Sequence, residues 1–174
     1  MPSSIFIRGQ SMIVRLCKVA IVTAVALFFT LVAFGNITDY DSNWLFVRHV
    51  LSMDTTFLAS SLRWRAITSP ALQTAGYWLI IAMQVVTAVF LWAGAFRLLE
   101  ARRGPEFARA KDLAVAGLTL GFLLYAVGFV DVGGEWFAMW QSPVWNGQQK
   151  AFNFIAMAGI ALIVVLLPDL EAAE

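Results

Sequence analysis

The chain has 174 residues, of which 60% are hydrophobic and 13% charged, with a net charge of +1 and a mean hydropathy of +0.77. So little charge cannot coat a soluble domain of this length, which places the chain in the integral membrane class. The near-neutral balance, without a block of like charge, leaves no footprint for nucleic acid, and the single Cys17 excludes an internal disulfide framework.

Residues 1 to 11 are short and polar. The first apolar run covers about 12–34, and its uninterrupted core begins at Val19, after Arg15 and Lys18, whose stems can snorkel toward an interface. A signal peptide has a similar basic start. Here the run continues through Val19–Phe34 and ends in Gly35-Asn36 rather than at a small-x-small cleavage site, so a retained helix ending at Gly35-Asn36 is expected. Cys17 reads as a small core residue near a membrane face.

The stretch 36–68 is a loop with apolar content. Asp39, Asp41 and Asn43 match the first half of a calcium loop, but Trp44 stands where Gly is needed and Val50 where Glu is needed. The better reading is a helix exit and re-entry, with Ser42 or Asn43 capping a short helix near Trp44. Phe46, Val50, Met53 and Phe57 make a helical stripe, and Asp54 reads as the cap of a second short helix. These helices are expected to lie on the membrane surface. His49 is the only histidine, and Met53 four residues on would approach a metal from the same side. It reads as an interfacial residue bonded to Asp39, Asp54 or a backbone carbonyl, not as a haem or zinc ligand.

The second run, about 70–96, opens on Ser69 as N-cap and Pro70 at the first helical position. Gln73 and Gln84 interrupt it. With Asn153 of the fourth run, they are expected to face a neighbouring helix, inside the bundle or on a partner. The segment Arg97–Asp112 is the most charged of the chain. The third run, about 113–130, carries Gly117 and Gly121 in a GxxxG spacing that permits close helix approach. A loop over 131–150 leads to the fourth run, about 151–167, stopped by Pro168, and to a short acidic tail. Residues 1–174 thus read as a single membrane domain: an all-α, four-transmembrane-helix bundle, arranged as two tandem hairpins, with short interfacial helices in the outer loops.

Arg8, Arg15, Lys18, Arg97, Arg102, Arg103, Arg109 and Lys111, eight of the twelve Lys and Arg residues, flank the first run or fill the middle loop. The positive-inside rule then expects both termini in the cytoplasm and the loops 36–68 and 131–150 outside.

The stretch Phe34-Gly35-Asn36-Ile37-Thr38-Asp39-Tyr40, with Asn43-Trp44, the run from Val47 to Thr56 and Trp64-Arg65-Ala66-Ile67, resembles a bacterial family of predicted small integral membrane proteins with a domain of unknown function. The resemblance spans nearly the whole chain. It implies a multi-pass protein of the bacterial inner membrane, and no activity, cofactor or catalytic residue.

No Asp, Glu, Lys, Arg or His lies within Val19–Phe34, Pro70–Phe96, Leu113–Val130 or Ala151–Leu167, which argues against ion-coupled transport and embedded acid–base catalysis. No catalytic constellation and no cofactor or metal site are expected. Of the seven tryptophans only Trp92 falls near the cytoplasmic end. Trp44, Trp64, Trp136, Trp140 and Trp145, with Arg48, His49, Asp54, Arg63 and Arg65, form an outer cap suited to lipid or to a partner. The loop cations are expected to pair with Asp39, Asp41, Asp54, Asp131 and Glu135. Two functions follow as expectations. One is a non-catalytic accessory or scaffold subunit of a larger respiratory or photosynthetic inner-membrane complex, or a homo-oligomer. The other is a small transporter or a lipid- or quinone-binding membrane protein.

Overall fold

A computed structural model of the protein describes residues 3–169, with side chains from Met12 onward. The side chain of Arg8 and residues 170–174 of the tail lie outside the described residues. Helix α1 spans Ser3–Thr38, α2 Tyr40–Ser52, α3 Pro70–Ala101, α4 Asp112–Leu123 and α5 Gln148–Leu166. Helix α4 is preceded by a 3₁₀ stretch, Pro105–Lys111, and runs on without a break as a π-helical stretch, Leu124–Trp136. Four segments are long and apolar enough to cross a membrane: Met12–Thr38, Pro70–Ala101, Pro105–Trp136 and Gln148–Leu166. The protein is therefore an all-α, four-helix membrane protein. At a rise of about 1.5 Å per residue, 32-residue α3 exceeds a hydrocarbon core of roughly 30 Å, so it tilts or protrudes.

Several boundaries differ from the sequence expectation. Helix α1 runs through Gly35-Asn36 to Thr38 because the Asn36 side chain is buried and bonded to α3, leaving it no reason to end the helix. Helix α2 starts at Tyr40, and Ser42 donates to the Asp39 carboxylate (3.0 Å) instead of capping a later start. Its end is Met53, in the left-handed region (φ 50°) with its N–H on Val50 O. The Met53 side chain is buried among Phe137, Ala138 and Met139, and that packing holds the unfavourable conformation. Asp54 caps no helix: its carboxylate bonds His49 instead. Ser69 precedes α3, and Pro70 takes the first turn, but the Ser69 side chain makes no cap bond. Residues 131–136 belong to the π-helical end of α4 rather than to a loop. Cys17 is exposed, not in the core.

The core sits toward the end that carries the termini, where α1, α3, α4 and α5 meet around Phe29, Leu91, Leu98 and Leu118. Close approach needs residues without side chains. A Cβ on Gly94 would lie 2.5 Å from Ala114 N, one on Gly117 2.9 Å from Leu91 Cγ, and one on Gly121 2.6 Å from Phe29 Cζ. Gly117 and Gly121 therefore pack against α3 and α1 of the same chain, and that face is not open to a second copy. Helix α5 buries Ala151, Ala158, Ala161 and Val165. Asn153 is off that stripe, exposed, with only Gln149 of its own helix bonded to it (3.5 Å).

The same end is tied by charge. Lys18 is 2% exposed and does not snorkel. Its ammonium donates to Leu167 O (2.6 Å) and to Asp169 Oδ1 (2.8 Å), while Lys111 lies 2.5 Å from Asp169 Oδ2 and donates to Leu167 O (3.1 Å). Two cations thus neutralise the carbonyl end of α5 and one buried carboxylate. Arg15 donates to Arg102 O and Gly104 O (3.2 and 2.9 Å). Burial alone would push the Asp169 carboxyl up. The hydrogen bonds from Lys111 and Lys18 outweigh it and hold the group below the usual value of 3.8.

Two outcomes are expected. Gly94→Ala lowers the unfolding free energy of the purified protein by about 1–3 kcal/mol, because the Ala114 backbone cannot step aside. Gly35→Ala, whose Cβ meets nothing within 4 Å, leaves stability equal or raises it by up to about 1 kcal/mol. For Asp169, ionisation is favoured by folding, so its contribution is complete above the usual value of 3.8 and is lost as pH falls through its lower folded value. Wild-type protein should lose thermal stability steeply below about pH 4, and Asp169→Asn should show a flatter profile there.

Candidate ligand pocket at the loop end

At the end away from the termini, the two long connections lock onto each other. Thr55 donates to Ser142 Oγ (2.8 Å) and the Phe57 N–H to Gln141 Oε1 (3.1 Å), while within the second connection the Trp145 N–H donates to Ser142 Oγ (2.9 Å). Ile67 N–H donates to Leu51 O (2.8 Å), and buried Gln73 donates to Ile67 O (2.7 Å). Met53, Phe137 and Met139 fill the space beneath as a second small core. The His49 ring stacks on Trp145 (centroids 4.7 Å apart, 12° between planes), and its Nδ1 is 2.8 Å from Asp54 Oδ2.

Under this cap lies a cavity of about 340 Å³ between α1, α2, α3, the π-helical stretch and α5. That size falls within the roughly 300–1,000 Å³ typical of ligand pockets. Its floor is polar. Asn36 donates through Nδ2 to Gln84 Oε1 (2.8 Å), the Tyr77 hydroxyl donates to Asn36 O (3.1 Å), and the Tyr125 hydroxyl lies beside the Gln84 amide. Tyr77 and Gln84 are 1% and 2% exposed. Its walls are Phe46, Phe129, Phe154 and Trp145, and its rim is Ser42, Asn43, Asn146 and Lys150, all exposed. Lys150 is the one charged residue among those that line it. Such a pocket offers hydrogen-bond donors and acceptors in a low-dielectric floor, with flat faces at the sides for a planar group.

The local sequence explains the placement. Gln73, Tyr77, Gln84 and Thr87 sit four, seven and three residues apart, so they share one face of α3. In the π-helical stretch, bonding runs from i to i+5, as in Phe137 N–H to Val132 O (3.0 Å), and Tyr125 and Phe129 fall on the face toward the cavity. Gly147 leaves room for Phe46, whose Cζ would be 2.9 Å from an added Cβ.

The sequence model of one family, described as "Predicted small integral membrane protein (DUF2165)", matches residues 14–168. The chain belongs to this family. The match covers the first span from residue 14 on, the other three spans, both connections and every residue lining the pocket. No curated protein and no solved structure matches the chain.

The outer residues singled out in this family member separate into several groups. His49, Asp54 and Trp145 come together as a stack, of which Trp145 alone lines the pocket, with His49 and Asp54 behind it. Arg63 binds Thr56 O (3.2 Å) and Thr56 Oγ1 (3.4 Å), which shapes the loop. Trp64, Arg65 and Trp136 form an outward platform: the Arg65 guanidinium lies 4.5 Å from the Trp136 ring centre and 5.4 Å from that of Trp64. Trp140 pairs edge-on with Phe57 (5.9 Å), and Arg48 lies over Trp44 (5.6 Å). The expected pairing of loop cations with Asp39, Asp41, Asp131 and Glu135 does not occur. Among the described residues His49–Asp54 is the only contact at this end between a basic side chain and a carboxylate, because the arginines are taken up by indole faces and backbone carbonyls. Tyr77, Tyr125 and Asn36 were not singled out. The spacing of Gln73, Tyr77 and Gln84 on one helix face was the available signal.

The floor should behave as one unit. Gln84→Leu strands the Asn36 amide in a buried site and should cost about 1–3 kcal/mol of stability. Adding Asn36→Leu should recover much of that loss, and a double-mutant cycle on chemical unfolding measures the coupling.

Proposed function

We propose that the protein is a binding protein of the bacterial inner membrane, and that its pocket takes a small, uncharged, planar head group bearing carbonyl or hydroxyl oxygens. The observation that carries this reading is the Asn36–Gln84–Tyr77–Tyr125 floor beneath aromatic walls, with no carboxylate, arginine or histidine lining it. A charged group would meet no counter-charge at the floor, and burying it unpaired is costly. A planar ring gains both stacking and hydrogen bonds there. Within the second function expected from the sequence, a transporter or a lipid- or quinone-binding protein, this geometry favours quinone or lipid binding over transport.

The accessory-subunit reading keeps one specific support. Trp64, Trp136 and Trp140 are 73%, 48% and 47% exposed, and the Arg65 stack holds two of them in place. Rigid aromatics and arginine are the residue types that anchor interfaces. A binding protein that presents its pocket to a neighbouring membrane complex uses both features.

Orientation follows the cation count, with termini in the cytoplasm and the pocket mouth outside. Reporter fusions after Asp54 and after Arg103 should report outside and cytoplasm respectively; the reverse pattern overturns this orientation. For the pocket, 2,3-dimethoxy-5-methyl-1,4-benzoquinone should quench tryptophan fluorescence saturably, with most of the quench lost in Trp145→Phe. Tyr125→Phe, which removes one hydroxyl, should weaken binding by about tenfold, a loss of ~1.4 kcal/mol. Non-saturable quenching, equal in all three proteins, would rule the pocket out as the site.

A further inference from the structure

A second cavity, of about 270 Å³, lies on the other side of Phe46 and Phe129 from the polar pocket. It is bounded by Val50 and Leu51 of α2, by Gly76 and Leu79 of α3, and by Gly128 and Val132 of the π-helical stretch. All of these residues are apolar or glycine. The cavity exists because small residues stand where side chains would fill it. A Cβ on Gly76 would touch only Leu51 Cδ1, at 3.4 Å, and one on Gly128 only Leu124 Cδ1, at 3.8 Å. Leu79 (64%) and Val132 (42%) are exposed on the helix surface, so the cavity opens sideways between α3 and the end of α4. In a bilayer that side meets lipid.

The two cavities share Phe46, Val47, Ile80 and Phe129 as lining. The Phe46 and Phe129 rings stand nearly parallel, 6.3 Å apart with 16° between planes. They form a thin partition, and turning one ring aside joins the two spaces.

We propose that the cavities are two parts of one site for a single-tailed amphiphile, with an uncharged ring on the polar floor and an apolar tail passing through the second cavity into the bilayer. This rests on the pocket reading above and adds the ligand class. The second cavity does not act by hydrophobic attraction, because lipid tails are already as apolar as its walls. It acts as a passage. A tail leaving through the rim would lie among Ser42, Asn43, Asn146 and Lys150, exposing methylenes to water and polar groups. A tail leaving between α3 and α4 meets only hydrocarbon. Isoprenoid quinones, their quinols and single-chain lipids with uncharged heads share this chemistry, and the four aromatic walls favour the ring-bearing members.

The test compares 2,3-dimethoxy-5-methyl-1,4-benzoquinone with its 6-decyl derivative, on wild-type protein and on Gly76→Leu/Gly128→Leu in phosphatidylcholine nanodiscs. Comparing each probe between proteins removes the effect of membrane partitioning. The filled variant should lose at least about tenfold in affinity for the decyl compound and keep the tail-less affinity within about twofold, where tenfold marks a clear change in binding free energy. Gly76→Leu and Gly128→Leu singly provide the same comparison if the double variant does not fold. Unchanged decyl affinity in the filled proteins, or a parallel fall for both probes, overturns the passage. Failure of either probe to bind wild type overturns the pocket reading itself and is distinct from both. With 1-decanoylglycerol as a third probe, weaker binding than the decylquinone supports the ring assignment, and tighter binding overturns it in favour of an acyl lipid.

Discussion

Gly94 of α3 and the α4 face bearing Ala114 and Gly117 bring two helix backbones together, and much of the molecule is a consequence of that contact. Without side chains between them, the helices touch at the end near the termini. Farther along, Gln84 meets Tyr125, and beyond that point Gly76 and Gly128 leave the gap unfilled. The shape is a wedge, closed by Gly94, Gly117 and Gly121 and open where α2 and the second connection cover it. The π-helical end of α4 helps keep the wedge open, since its wider turn sends Tyr125 to one cavity and Gly128 and Val132 to the other, with Phe129 between them. The charge cluster of Lys18, Lys111 and Asp169 fastens the closed end by tying α1, the 3₁₀ stretch before α4 and the chain just past α5.

A membrane interior offers no water to polar groups, so each one must find a partner within the protein or in a ligand. At the closed end this is met by ion pairs and backbone carbonyls. Toward the other end Asn36, Tyr77 and Gln84 satisfy one another only in part, because an amide pair has more donors and acceptors than two bonds use. All three residues line the cavity, where a ligand can meet the remaining capacity. That incomplete satisfaction, held in place by packed helices, is what distinguishes a binding floor from a helix-packing contact.

The four spans were legible because hydropathy acts residue by residue, and the inward placement of Gln73 and Gln84 because a lone amide in lipid has few alternatives. The bundle's close contacts were half-legible: Gly117 and Gly121 announced a close approach, but spacing does not say whether the partner is α1, α3 or another chain. Helix ends were misread where a local breaker had a distant partner. Asn36 continues α1 because Gln84 bonds it, and Asp54 declines to cap because His49 does. Lys18 looked like an interfacial cation because Asp169, 151 positions away, gives no local sign of meeting it. The pocket was least legible. Tyr77 shares a face of α3 with Gln84, but Tyr125 lies on the other hairpin, and only the packing of that hairpin on α3 brings it beside Gln84.

The account predicts where a ligand goes. The most direct measurement is photolabelling of the protein in native membranes with a decyl benzoquinone carrying an azide on the ring, followed by mass spectrometry of the peptides. Label should concentrate on the segments around Asn36–Val47, Tyr77–Gln84, Tyr125–Phe129 and Trp145–Phe154, and excess unlabelled decylquinone should remove it. Label spread over the outward faces, at Leu31, Val89 or Ile160, with no competition, would contradict the account.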